Sequence, residues 1–117
     1  MSADKVETVR SSSSGTLGRA VSTIRSASLT LDSSSRPQAD TFTNSEAFLA
    51  GVSSCGVTLI EMHARETGVP LRQMDVTIEG VRPTTDPPRF SSVTMRFELA
   101  GITQEQAESL VGTYQQR

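Results

Sequence analysis

From Thr43 onward the apolar positions fall at helical spacing. Phe48, Val52, Cys55, Leu59 and Met62 recur every three or four residues and mark one continuous stripe. Thr43 and Glu46 stand as Thr-x-x-Glu ahead of that stripe, the pattern of a capping box. In such a box the threonine oxygen accepts from the backbone N–H three residues on, and the carboxylate reaches back. Gly68 and Pro70 supply the stop. About 24 residues at 1.5 Å each predict a rod of roughly 36 Å. Leu49, Ile60 and the small residues Ala50, Gly51, Ser53, Ser54 and Gly56 widen the face that can be buried. The lack of bulk from Gly51 to Gly56 lets another backbone approach closely there.

Downstream the period changes from helical to two. Met74, Val76 and Ile78 alternate with Asp75, Thr77 and Glu79, and Val93, Met95, Phe97 and Leu99 alternate with Thr94, Arg96 and Glu98. Both runs predict antiparallel strands with one wet face. The segment from Pro83 to Pro88 between them predicts a turn. Past Gly101, Thr103-x-x-Gln106 forms a second capping box, and Ala107, Leu110, Val111 and Tyr114 form a second helical stripe. That helix is expected to be still running at Arg117.

The N-terminal part is less sharply patterned. Val6 and Val9 flank a short predicted strand, which the Ser11–Ser14 run and Gly15 are expected to interrupt as a turn. Val21, Thr23, Ile24, Leu29 and Leu31 predict two strands that break near Arg25-Ser26-Ala27. Residues 32–42 are polar, contain a proline and predict a loop. The order is strands, long helix, hairpin, helix, which is an α+β domain over residues 1–117.

Composition narrows the function more than the fold. Eleven basic residues against thirteen acidic ones, for a net charge of -2, leave no electrostatic footprint for nucleic acid. One tyrosine, four phenylalanines and no tryptophan make no base-stacking platform. No run of 18 apolar residues is found, so no membrane span is expected. The opening MSADKVETVR is charged and has no apolar stretch of the secretory kind, and a cytoplasmic location is expected. Apolar residues make up 35%, low against the ~45–50% of ordinary domains, a figure that also counts glycine. So thin a core suggests that apolar surface is buried against a second copy, and a homodimer is expected.

Candidate chemistry is sparse. Cys55 is the single cysteine, so neither an intrachain disulfide nor a cysteine-rich zinc site is possible. It reads either as a small buried hydrophobe or as a nucleophile. The second role needs a nearby cation, because Cys55 lies too far along its own helix for the helix dipole to act. His63, the only histidine, lies eight residues on, about 12 Å along the axis, so it cannot pair with Cys55 within one helix. It reads as a partly exposed structural residue, or as one that meets Cys55 of an antiparallel partner helix. Arg96 and Glu98 read as solvated charges. No P-loop lysine, no Gly-x-Ser-x-Gly elbow and no metal site is present, and no cofactor is expected.

The stretch Thr43-Asn-Ser-Glu-Ala-Phe-Leu-Ala-Gly-Val-Ser-Ser-Cys55 resembles the OsmC/Ohr family, the osmotically induced and organic hydroperoxide resistance proteins. Its pattern is Thr/Asn-Pro-Glu, an apolar helical run and a small-small-Cys. The likeness continues through Thr58–Gly68, Met74–Arg82, Pro88-Arg-Phe, Val93–Leu99 and Ile102-Thr-Gln-Glu-Gln, with Gly18-Arg-Ala-Val21 as the early strand. The resemblance implies an intertwined α+β homodimer with the long helices at its centre and active sites at the subunit interface. It implies that Cys55 is the peroxidatic thiol attacking the O–O bond of organic hydroperoxides. The sulfenic acid then condenses with a second cysteine, and a dithiol donor restores the enzyme.

This sequence departs from the pattern at three places. The arginine that stabilises the thiolate belongs to a Gly-Gly-Arg segment; here Leu17 takes that position and Arg19 follows two residues later. The glutamate that orients the arginine lies ten positions before the cysteine; here Ser45 does, and Glu46 is one residue late. The resolving cysteine follows the last helix, and Arg117 stands about where that segment would begin. The resemblance thus assigns Cys55, Glu46 and Arg19 as candidate catalytic residues, with an external thiol or dithiol as reductant. The alternative is a catalytically degenerate dimeric module that binds an apolar ligand or serves a structural role.

Overall fold

The computed structural model describes residues 4–83 and 90–115. It has five strands and two helices in the order β1 (Arg10–Ser13), β2 (Arg19–Ile24), β3 (Ala27–Asp32), α1 (Asn44–Glu66), β4 (Gln73–Val81), β5 (Ser92–Ala100) and α2 (Gln104–Gln115). The α+β reading therefore holds. The chain divides into two compact units, residues 1–48 and 49–117, so the first turn of α1 falls in the first unit and its remainder in the second.

The first unit is a three-stranded antiparallel sheet in the order β1-β2-β3. The break between β2 and β3 falls at Arg25 and Ser26, as the lost alternation predicts, with Arg25 in the left-handed region at φ 54°. The serine run differs from expectation: it is strand β1 and not a turn. Ser11, Ser12 and Ser13 pair with Ser22, Val21 and Ala20, and the Ser11 and Ser22 hydroxyls lie 2.8 Å apart. Backbone pairing with β2 outweighs weak strand propensity on this exposed edge. Val6 and Val9 lie outside any strand.

The turn comes later, at Gly15–Gly18. Gly18 has φ +88°, and a Cβ there would lie 2.8 Å from the Ser34 Cα, against backbone that cannot rotate away. Gly18→Ala is therefore expected to destabilise the protein by about 2 kcal/mol or more, measurable by urea unfolding. A midpoint within error of the parent would contradict this packing.

The second unit packs α1 and α2 with the hairpin β4–β5. Met74, Val76 and Ile78 pair with Leu99, Phe97 and Met95, while Asp75, Thr77 and Glu79 on the other face are exposed. The predicted turn between the strands lies, from residue 84 to 89, outside the described residues. The core is Ile60, Ala64, Met74 and Leu110, with Val57, Phe97, Leu99 and Val111 packed around it. The Tyr114 ring meets the edge of Phe97 at 5.9 Å.

Both capping boxes form. Thr43 N–H donates to Glu46 Oε1 at 2.9 Å and Glu46 N–H to Thr43 Oγ1 at 3.2 Å. Thr103 and Gln106 repeat the arrangement at 3.0 and 3.1 Å. The buried face of α1, however, is rotated from the apolar stripe. Gly56, Ile60 and Ala64 are buried, whereas Phe48, Cys55 and Met62 stay exposed. The hairpin and α2 cover one side of α1 only, and the small Gly56 lets Met95, Tyr114 and Phe97 come close on that side.

By length and composition, with mean hydropathy 1.3, α1 is apolar enough to cross a membrane, although no unbroken apolar run of that length exists. Serine, threonine and glycine dilute the run without lowering the average far. Most of that stretch is exposed, and Ile60 and Ala64 on its buried side belong to the core of the second unit.

Candidate active site

Cys55 sits mid-helix on α1 and is exposed, so the reading as a small buried hydrophobe is overturned for this chain. The reason is rotation: Gly56, the next residue, faces the core, which turns Cys55 by about 100° away from it. Its carbonyl accepts a hydrogen bond from Thr58 Oγ1 at 3.3 Å, the ordinary bond of a helical threonine. Gly51, one turn earlier, and the adjacent Ser54 are also exposed.

Glu46 has a structural task. Its carboxylate accepts from Thr43 N–H and so closes the start of α1. A carboxylate here also favours the positive end of the helix dipole. Arg19 is placed by a different residue. Its Nε donates to Asp32 Oδ2 at 2.9 Å, with the arginine side chain one-quarter exposed and the aspartate side chain fully covered. Among the described residues no hydrogen bond or ion pair joins Arg19 to Glu46. Leu17, which occupies the expected arginine position, is 97% exposed and points away from its unit.

Asp32 was not a candidate in the sequence, where it opens a polar loop. It ends β3 and ties that loop together. Oδ1 accepts from Ser34 N–H at 3.1 Å and Oδ2 from Gln38 N–H at 3.0 Å. Around it Ser33 N–H donates to the Gly18 carbonyl, Asp32 N–H to the Phe42 carbonyl, and Asn44 N–H to Ser33 Oγ. This set fixes β2, the loop and the start of α1 to one another. The one available signal was the Asp-x-Ser spacing, which matches an Asx-turn.

Hydrogen bonds from the Ser34 side chain, then from the backbone of Gln38 and of Ser34 and from Arg19, hold the Asp32 carboxyl well below the usual carboxylate range, against an opposing push from desolvation. Its folded-state affinity for protons is thus lower than in the unfolded chain. The stabilisation is fully present above about pH 4, the ordinary carboxylate value, and is lost as pH falls below it. Stability is therefore expected to be flat in this respect from pH 5 to 8 and to drop below about pH 4, more steeply than in Asp32→Asn. Urea midpoints against pH for both proteins check this; parallel curves would contradict it.

His63 is partly buried, as expected of a structural residue, and its Nδ1 is buried with no partner among the described residues. No group of three potential metal ligands occurs among the described residues. A shallow groove of about 580 Å³ runs over β5 and α2, bordered by Met95, Phe97, Leu99, Ala107 and Val111 with Arg96 and Glu108 at its rim. Cys55 does not line it.

An OsmC-like protein family model matches residues 37–117, more than half of the chain and including Glu46 and Cys55. The chain belongs to the OsmC-like family. Solved structures of that family share its fold. An OsmC-like protein from Mycoplasma pneumoniae aligns with a TM-score of 0.83 at 16% identity, over 98% of this chain and 84% of the other. An organic hydroperoxide resistance protein OsmC from Legionella pneumophila aligns at 0.68 and 21% identity, over 95% and 82%. The organic hydroperoxide resistance protein OhrB of Bacillus subtilis aligns at 0.62 and 18%, over 92% and 82%. Identities this low establish the fold alone. No curated protein matches the sequence. Cys55 and Glu46 both lie within the matched segment; Glu46 serves the helix cap, and Arg19, outside that segment, is held by Asp32.

Proposed function

We propose that this protein is a thiol-dependent peroxidase that reduces organic hydroperoxides through Cys55. The observation that carries the reading is the exposure of Cys55 within the segment that matches the OsmC-like family, where a buried packing residue would be closed to substrate. The Cys55 thiolate attacks the outer region of the O–O bond: an S–O bond forms, the O–O bond breaks, and the alkoxide takes a proton and leaves as an alcohol. Sulfur is oxidised to the sulfenic acid and the peroxide is reduced.

Resolution of the sulfenic acid is assigned to an external thiol, Cys55 being the one cysteine in these 117 residues. The external thiol forms a mixed disulfide with loss of water. A second thiol group then releases Cys55 and leaves the donor as its disulfide. Arg19 is the cation assigned to the thiolate, and Glu46 supports the site by fixing the start of the helix that carries Cys55. The reading includes a homodimer, supported by the exposed Phe48, Cys55 and Met62 along α1, and a location in the cytoplasm, where thiol donors are available. No nucleic acid, membrane or cofactor takes part.

The test is consumption of cumene hydroperoxide with dithiothreitol as donor, beside hydrogen peroxide. Turnover well above the donor alone, and faster with the organic peroxide, is expected. Equal rates with and without protein would overturn the proposal and favour the non-catalytic module.

A further inference from the structure

We propose that the pocket beside the C-terminal end of α1 binds a small monocarboxylate with a short aliphatic body. Its volume is about 320 Å³, and every residue bordering it belongs to the second unit. Glu61 and Arg65 from α1 and Arg72 from the segment before β4 form its charged wall, and Ala64, Val69 and Leu71 form its apolar wall. Among the described residues neither guanidinium makes a hydrogen bond or an ion pair. Glu61 stands four residues before Arg65, the spacing of a helical ion pair, yet leaves it free. A basic residue in the last turn suits the helix dipole, which accounts for Arg65. Arg72 lies outside the helix and borders the same pocket, which the dipole does not explain.

Arg72 is also held in place. Gly101 has φ +93°, and a Cβ there would come within 2.9 Å of the Arg72 Cγ and Nε, so the arginine stem lies against bare backbone. Arg72 N–H donates to the Ala100 carbonyl at 3.0 Å, and Val69 N–H to the Ala64 carbonyl at 2.9 Å. The segment from Val69 to Arg72 is thereby tied to β5 and to α1. Two guanidiniums bordering one small pocket repel each other, and an anion between them relieves the repulsion. Their fork of N–H donors matches the two oxygens of a carboxylate. Glu61 sets the charge that fits: with its carboxylate present one net positive charge remains, which a monocarboxylate balances and a phosphate dianion exceeds. The apolar wall then covers an aliphatic body, which the small volume limits to a short chain.

Cys55 does not border this pocket, so the outcome is independent of the peroxide chemistry. The test is an amide chemical-shift titration of the full chain with sodium hexanoate at constant ionic strength, beside hexanol and inorganic phosphate. Saturating shifts at Ala64, Arg65, Leu71 and Arg72 with hexanoate are expected, in the millimolar range ordinary for so small a ligand. R65Q and R72Q each weaken binding by about tenfold, the size of one lost charge-assisted bond, and E61Q lets phosphate bind at the same amides. Equal affinity for hexanol would mean that the guanidiniums contribute nothing, and the proposal falls. Phosphate binding more tightly than hexanoate to the parent protein would overturn the monocarboxylate class. Unchanged affinity in R65Q and R72Q, or shifts that do not saturate, would overturn the site itself. Should R72Q fail to fold, as judged by circular dichroism, R65Q decides, because the exposed Arg65 side chain has no part in the core.

Discussion

Cys55→Ser is expected to abolish peroxide consumption while leaving the fold in place. The serine hydroxyl is not ionised near neutral pH and attacks the O–O bond negligibly, so the rate falls to that of the reductant alone. Because Cys55 is exposed and packs against nothing in the core, the same change is expected to shift stability by less than about 0.5 kcal/mol. Peroxide assays and thermal unfolding on the same preparation check both halves. A variant that keeps its activity would remove Cys55 from the chemistry, and one that unfolds would give the residue a packing role instead.

Ile60→Ala is expected to have the largest effect on stability. Ile60 is 1% exposed at the centre of the second unit, between α1, the hairpin and α2. Removing its side chain leaves a cavity bordered by Met74 and Leu110, at a cost of about 3 kcal/mol. For a chain of this size that corresponds to a melting temperature lower by roughly 10 °C. Leu59→Ala, on the partly covered flank, is expected to cost less than half as much. Equal losses at both positions would mean that the buried side of α1 is wider than Gly56, Ile60 and Ala64.

The contrast between Ile60 and the stripe Phe48–Cys55–Met62 shows where sequence patterning succeeded and where it stopped. Local chemistry was legible: Thr43 with Glu46 and Thr103 with Gln106 both close capping boxes, and alternation located β4 and β5 with the correct wet faces. These features depend only on neighbours in the chain. Which side of α1 is buried depends on what covers it, and α1 has apolar or small residues around most of its circumference. Periodicity alone therefore favoured the bulkier stripe, whereas the hairpin and α2 cover the side with Gly56.

The candidate site was legible in the same uneven way. The position of Cys55 followed from the family pattern, and its exposure did not follow from composition or period. Arg19 was singled out only through the resemblance, as an arginine two residues past the Gly-Gly-Arg position. Its partner Asp32 was hidden in a polar loop, because the contact between them joins residues 13 apart in the chain across two paired strands. Glu46 is the overlapping case. One side chain satisfied two patterns, the helix cap and the displaced family glutamate, and the hydrogen bonds of the cap are formed.

The central claim is that Cys55 still reacts as a peroxidatic thiol. The most direct measurement is the rate of Cys55 thiol loss in a single turnover with cumene hydroperoxide and with hydrogen peroxide. It is followed by intact mass with sulfenic acid trapping, against free cysteine at the same pH. A rate far above that of free cysteine, greater with the organic peroxide, is the predicted result. A rate at or below that of free cysteine would contradict the account and leave an OsmC-like fold without the family's thiol chemistry.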